Sequence, residues 1–131
     1  MKDDAVNSIW IRPGQTSIPY KGMKSGRYLQ LKDEDLDFLI AQIDGIEHYT
    51  ARFNRWSQNA SYKDKTGTFR LRGVHPGHQF VENTLMNEGR FINENDLRDY
   101  RKTIVIGEKV RVQLFGNSDP IGEYVSVQGV L

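Results

Sequence analysis

The sequence contains no cysteine. This absence excludes disulfide bonds, thiolate metal ligands and a cysteine nucleophile. It leaves the redox compartment of the protein open, because cysteine-free proteins occur in reducing and oxidising environments alike.

Long apolar runs are also missing. The longest are residues 38–41 and residues 104–106, far short of the roughly 20 residues that a helix needs to cross a bilayer. The first residues, Met1–Ala5, lack the apolar stretch of a signal peptide. Taken alone, these absences would indicate a cytoplasmic protein.

Acidic residues are absent between Asp4 and Asp33. The same stretch holds Arg12, Lys21, Lys24, Arg27 and Lys32, interleaved with Trp10, Tyr20 and Tyr28. Three interpretations fit it: a solvated basic loop, a nucleic-acid groove with stacking platforms, or a segment near anionic lipid headgroups. The chain carries a net charge of +1 and no RNA-binding motif, which disfavours nucleic acid.

The overall composition is that of an ordinary globular domain. The 131 residues are 37% hydrophobic and 27% charged. Such a chain is long enough to bury one core, and it is neither disordered nor strongly basic.

Three helices are predicted. Apolar residues spaced at i, i+3, i+4 and i+7 predict a helix over residues 33–43. Asn93, with Asp96 three residues later, predicts an N-cap for a helix that reaches about Tyr100. A third helix is predicted from Glu108 to Phe115, with a short helical turn at residues 80–84.

The remaining periodic segments predict strands. They are residues 7–11, 47–56, 61–63, 68–74, 103–106 and 124–128, with a turn at residues 64–67 and a hairpin turn at residues 128–129. Two strand–helix–strand segments, residues 7–56 and 103–128, are predicted to form βαβ-like units. The predicted fold class is therefore α+β.

The residues that could carry catalysis or bind a metal form no recognisable pattern. His75 and His78 flank a Pro–Gly turn, with Glu82 as the nearest following acid, whereas a zinc site needs three or four ligands. We interpret this pair as a polar turn and His48 as exposed. No nucleophile motif and no phosphate-binding loop is present. We predict no enzymatic activity, no catalytic or metal-binding residue and no cofactor.

The order of short motifs in the second half resembles a known family. The string runs from Gly73–Pro76 through Glu88–Ile92, Thr103–Gly107 and Leu114–Gly116 to Asp119–Gly129. It resembles the periplasmic core domain of MacB-type ABC transporter permeases, and residues 16–27 agree with it less sharply. Glu123 stands where the family often has lysine.

The resemblance implies an extracytoplasmic domain on the periplasmic side of the bacterial inner membrane, anchored by transmembrane helices outside these 131 residues. It implies a porter-like lobe of βαβ-like units (residues 1–56 with 101–131) and a smaller, mostly β lobe (residues 57–100). The implied partners are those transmembrane helices, a second permease copy, a cytoplasmic ABC ATPase and a periplasmic adaptor or substrate protein, but no nucleic acid.

The motif residues are assigned structural roles. This set comprises Gly89, Arg90, Phe91, Gly107, Leu114, Phe115, Gly116, Asp119, Pro120 and Gly122. We interpret the glycines as turn or helix-stop residues and Arg90 as a structural ion pair or cap. A second set is predicted to contact the membrane or a partner: Trp10, Arg12, Tyr20, Lys21 and Arg27. The alternative is a stand-alone peptide, lipid or nucleic-acid binding module that uses residues 10–32.

Overall fold

The computed structural model describes residues 7–130, in which helices and strands are mixed. The α+β fold class is therefore confirmed. The elements are α1 (Asp33–Gln42), β1 (Arg52–Tyr62), β2 (Lys65–Val74), α2 (His78–Val81), α3 (Glu94–Arg98), α4 (Glu108–Phe115) and β3 (Ser126–Val127).

A long antiparallel hairpin of β1 and β2 forms the centre of the fold. Its register shifts by one residue between Arg55 and Gln58, where Ser57 has a φ of 54°. Such a β-bulge places two residues opposite one and bends the strand. The hairpin turns at Lys63 and Asp64, because Tyr62 pairs directly with Lys65.

The ladder ends at the pair Arg52 and Val74 because Pro76 follows and has no backbone N–H to donate. Two side chains continue the pairing beyond that point. The backbone N–H of Ala51 donates to Nδ1 of His75 over 3.0 Å, and the N–H of His75 donates to the Thr50 hydroxyl, also over 3.0 Å. The segment before Arg52 is therefore held to β2 without forming a strand.

β3 lies on the other side of β1, so the sheet order is β2-β1-β3, and both pairings are antiparallel. Gln128 and Gly129, with φ of 50° and 80°, then reverse the chain. Val127 and Val130 exchange backbone hydrogen bonds of 2.8 and 2.9 Å across this turn. The hairpin turn predicted at residues 128–129 is confirmed.

The main core lies where α4 packs on the sheet. Leu114 is 1% exposed, and Phe115 and Ala60 are buried beside it. The Tyr62 and Phe115 rings pack in a tilted arrangement with centroids 4.2 Å apart. Partly buried residues complete the cluster: Phe69, Ile106, Val110, Val125 and Val127.

Several predicted strands differ from the structure. Residues 7–11 and 103–106 form no strand, so the described chain contains neither of the two predicted βαβ-like units, and its sheet is antiparallel throughout. The predicted strand over residues 47–56 begins only at Arg52, and residues 64–67 lie largely within β2 instead of forming the turn. The three predicted helices fall within one or two residues of their predicted positions, whereas the helical turn predicted at residues 80–84 lies earlier, at His78–Val81.

The division into two lobes stays a prediction. β1 runs without interruption past residue 56, which is the predicted boundary. β3, from the predicted first lobe, pairs with Ala60 and Ser61 of the predicted second lobe. Residues 1–6 and 131 of the predicted 1–131 domain lie outside the described residues.

Candidate interaction surfaces

Arg90 and Asp96 form the most densely bonded polar centre of the fold. The two Nη atoms of Arg90 donate to the two carboxylate oxygens of Asp96 over 2.6 and 3.0 Å. Arg90 also donates to the carbonyl of Phe91 over 3.0 Å. This fork-to-fork geometry is the strongest arrangement that an arginine and a carboxylate adopt. The predicted structural ion pair of Arg90 is thus present.

Asp96 also serves as the N3 residue of a capping box. Its carboxylate accepts from the Asn93 backbone N–H over 2.9 Å, and the Asn93 side chain accepts from the Asp96 N–H over 3.1 Å. The Thr103 hydroxyl donates to the same carboxylate over 3.1 Å. One buried side chain therefore joins the segments before and after α3, and the predicted N-cap at Asn93 is confirmed.

These bonds lower the pKa of Asp96 well below its ordinary value of 3.8. The hydrogen bonds from Arg90 contribute most, followed by the Asn93 backbone N–H, while burial opposes them. Asp96 is therefore ionised throughout the physiological pH range.

A second polar centre surrounds Glu82, just after α2. Its carboxylate accepts from Arg52 Nη1 over 2.6 Å and lies 2.8 Å from Nε2 of His78 and 3.7 Å from Nη1 of Arg72. The Trp10 ring lies over the Arg52 guanidinium at 4.4 Å. Cations from both strands thus meet on one acid, with an aromatic ring covering Arg52.

This second centre was not predicted from the sequence. Arg52, Arg72 and Glu82 lie on different elements, and no local pattern links them. It also changes the interpretation of Trp10, which packs on the sheet through Arg52 and not with the exposed basic segment.

The histidines take part in structural contacts. Nδ1 of His75 accepts the Ala51 hydrogen bond, and His78 is buried against Glu82 and the Phe91 ring. His48 is exposed, as predicted, and its ring stacks on Phe80 with centroids 4.2 Å apart. Among residues 7–130, no three His, Asp or Glu side chains are gathered as a metal site.

A groove of about 650 Å³ lies between the end of the hairpin and the segment leading to α3. One wall carries His48, Tyr49 and Phe80, and the other carries Met86 and Leu97. Arg90 lines the groove, but both of its Nη atoms donate hydrogen bonds to Asp96. The walls mix apolar and charged residues.

The remaining motif residues lie in turns and at helix ends. Gly89, Gly116 and Gly122 have positive φ, and Gly116 is the C-cap of α4, whereas Gly107 is its N-cap with φ of −80°. Asp119 accepts from the Ile121 N–H over 3.0 Å, which closes the turn around Pro120. Phe91, Leu114 and Phe115 are buried.

The basic aromatic segment folds into a hairpin, which we name the basic arm (residues 14–29). Gln15 pairs with Tyr28, and Tyr20 pairs with Met23 around a two-residue turn in which Lys21 and Gly22 have φ of 47° and 77°. Positive φ at both central positions is typical of the type I′ turn that suits hairpins. The Leu29 N–H donates to the Gly14 carbonyl over 2.9 Å at the base.

The basic arm exposes large apolar side chains both near its tip and near its base, where Tyr28 pairs with Gln15. Ile18 is 74% exposed, Tyr20 60% and Tyr28 84%. Lys21 lies over the Tyr20 ring at 5.3 Å, and Lys24 is exposed beside it. Of the predicted contact residues, Tyr20, Lys21 and Arg27 lie in this arm, Arg12 lies just before it and Trp10 does not belong to it.

The family model of the MacB-like periplasmic core domain matches residues 2–131. The chain belongs to this family. The sequence is also similar to macrolide export ATP-binding/permease proteins MacB. It is 26% identical to that of Bdellovibrio bacteriovorus over 95% of this chain and 19% of the relative. It is 30% identical to that of a Shewanella species over 93% of this chain and 18% of the relative.

A solved structure shows the same fold. It is the extracellular domain of the noncanonic ABC-type transporter YknZ from Gram-positive bacteria, with a TM-score of 0.69 and 25% identity. The match covers 76% of this chain and 52% of that domain. The chain spans about a fifth of the length of its MacB relatives. It is thus a periplasmic or extracellular domain of an ABC transporter permease. None of its described helices has the length and apolarity to span a bilayer.

Proposed function

We propose that this MacB-like domain is a non-catalytic part of an ABC permease that couples ATP hydrolysis in the cytoplasm to movement outside the inner membrane. The family match over residues 2–131 carries the proposal. In such a permease, flanking transmembrane helices would anchor the domain. A second permease copy, a cytoplasmic ATPase and an adaptor or substrate protein would be its partners.

The two polar centres support a mechanical role. The centre at Asp96 joins Arg90 to Thr103 across α3, and the centre at Glu82 joins both long strands to α2. Charge-assisted bonds of this kind make a segment rigid. A rigid body transmits a displacement applied at one end to its far surface.

The experiment uses the parent permease with its ATPase in lipid nanodiscs. These 131 residues contain no cysteine, so once any cysteines elsewhere in the parent are replaced, a single spin label at Asp64→Cys in the β1–β2 turn reports the distance between two permease copies. A second label at Asn117→Cys, after α4, provides an independent position. Both positions are exposed.

We expect the distance distribution of both labels to shift when ATP and vanadate are added. The same labels with an ATPase variant that cannot bind nucleotide form the control and are expected not to shift. Unchanged distances for both labels, in a complex that still hydrolyses ATP, would overturn the proposed coupling.

A further inference from the structure

We infer that the basic arm docks on an anionic lipid surface, with its Tyr20–Met23 tip entering the headgroup region. The inference rests on the proposed function only in that a permease domain has a bilayer nearby. Binding of the chain to vesicles is measured separately from coupling, so either proposal can fail without the other.

The charge distribution of the basic arm supports an anionic partner. No acidic residue lies between Asp4 and Asp33, and the next turn of the chain, the start of α1, carries Asp33, Glu34 and Asp35. The arm therefore carries Lys21, Lys24 and Arg27 without any acidic residue of its own, although the chain as a whole is nearly neutral. Each basic residue close to an anionic membrane strengthens binding by about fivefold.

The apolar side chains favour a lipid surface over nucleic acid. Ile18 is 74% exposed and Met23 45%, and they flank Tyr20 at the tip. Stacking on single-stranded bases requires aromatic platforms along a basic track, and aliphatic side chains do not serve that purpose. Tyrosine with neighbouring aliphatic and basic residues is the composition that settles at a membrane interface.

The backbone of the arm holds this tip in place. The Tyr20 N–H and the Met23 N–H each donate to the other residue's carbonyl, over 3.1 and 2.9 Å. Farther down, the Thr16 N–H donates to the Arg27 carbonyl over 2.9 Å. The apolar and basic side chains are thus presented together before binding, which lowers the entropic cost of docking.

The test is co-sedimentation of the purified chain with vesicles of phosphatidylcholine alone or mixed with phosphatidylglycerol. We expect binding to the mixed vesicles that weakens as salt is added, because salt screens exposed charges. The variant Lys21→Asn/Lys24→Asn is expected to bind about 25-fold more weakly, at about fivefold per cation.

The chain offers a matched control at the β1–β2 turn. Lys63 there has a φ of 52° and lies over the Tyr62 ring at 5.2 Å, the same arrangement as Lys21 over Tyr20. The variant Lys63→Asn/Lys65→Asn removes the same charge from another two-residue hairpin turn, and asparagine tolerates the positive φ of Lys21 and of Lys63. We expect its binding to stay within about twofold of wild type, since the membrane contact involves the other turn.

A third variant separates apolar insertion from charge. Ile18→Ser/Tyr20→Ser keeps every cation and is expected to weaken binding to the mixed vesicles at low and high salt alike. Equal binding to both vesicle types, equal loss in the Lys63/Lys65 control, or wild-type binding by Ile18→Ser/Tyr20→Ser would overturn the inference. So would Lys21-dependent binding to a single-stranded oligonucleotide without binding to vesicles.

Discussion

Arg90 and Asp96 meet through two hydrogen bonds of 2.6 and 3.0 Å, with the carboxylate buried and the arginine half exposed. The arginine belongs to the Glu88–Ile92 motif and the acid to the capping box of α3. The relationship explains why a charged residue occupies that motif. It fastens the chain before α3 to the helix and, through Thr103, to the segment after it.

The first prediction concerns the pH dependence of stability. The pKa of Asp96 is lowered in the folded chain, chiefly by Arg90. A depressed carboxyl pKa stabilises the fold above the unfolded value of about 4, and that contribution is lost as the pH falls toward the folded value. Asp96→Asn should therefore be less stable than wild type at neutral pH, and the difference should shrink in acid. Urea unfolding across this pH range measures it.

Asp99→Asn is the matched control, because Asp99 pairs with Arg98 and Arg101 at the surface. Its stability should stay close to that of wild type at neutral pH. If the unfolding free energies of wild type and Asp96→Asn differed by the same amount at neutral and acid pH, the lowered pKa of Asp96 in the folded chain would be contradicted.

The second prediction concerns the core under α4. Leu114 is 1% exposed, whereas Val112 on the same helix is 55% exposed. Leu114→Ala should lower the free energy of unfolding by about 2–5 kcal/mol, because it removes buried apolar contacts and leaves a cavity. Val112→Ala should change it by less than about 0.5 kcal/mol. Equal effects in urea unfolding would show that α4 packs differently.

Local signals predicted the elements that local interactions stabilise. The Asn93–Asp96 capping box and the Gln128–Gly129 turn each depend on residues within four positions, and both are present. The run at residues 103–106 was misread because β-branched residues favour a strand only where a partner strand is available. In the structure, Thr103 instead bonds Asp96, and Ile104 is 45% exposed.

The predictions failed where distant residues decide the structure. The bulge at Ser57 reverses the alternation of β1, so two halves of one strand were read as separate strands. The centre at Glu82 gathers side chains from both strands and α2, and their separation along the chain hides it. By contrast, the Lys21–Gly22 turn of the basic arm has a local sequence signal for a hairpin turn, because glycine suits positive φ.

The third prediction concerns Gly77, at the N-cap of α2. A Cβ atom there would overlap the backbone carbonyl of Tyr49, which cannot move aside as a side chain can. Gly77→Ala should lower the free energy of unfolding by about 1–3 kcal/mol through this overlap. Gly14→Ala is the control, since no atom lies within 4 Å of the added Cβ and φ is not positive. Thermal unfolding of both variants measures the difference. Equal melting temperatures would contradict the close contact between Gly77 and the Tyr49 carbonyl.

The fourth prediction concerns the acid shared by Arg52, Arg72 and His78. Glu82→Gln keeps the shape of the side chain but removes the charge that the two arginines face, at a site where the carboxylate is 19% exposed. The variant should lose about 1–3 kcal/mol of unfolding free energy, because it leaves partly buried cations without their counter-charge. Glu34→Gln, on the exposed first turn of α1, should lose less than about 0.5 kcal/mol.

Raised salt should reduce the difference in unfolding free energy between wild type and Glu82→Gln only slightly, since partly buried pairs are weakly screened. If high salt abolished this difference, Arg52 and Arg72 would contact Glu82 in solvent and not in a partly buried centre.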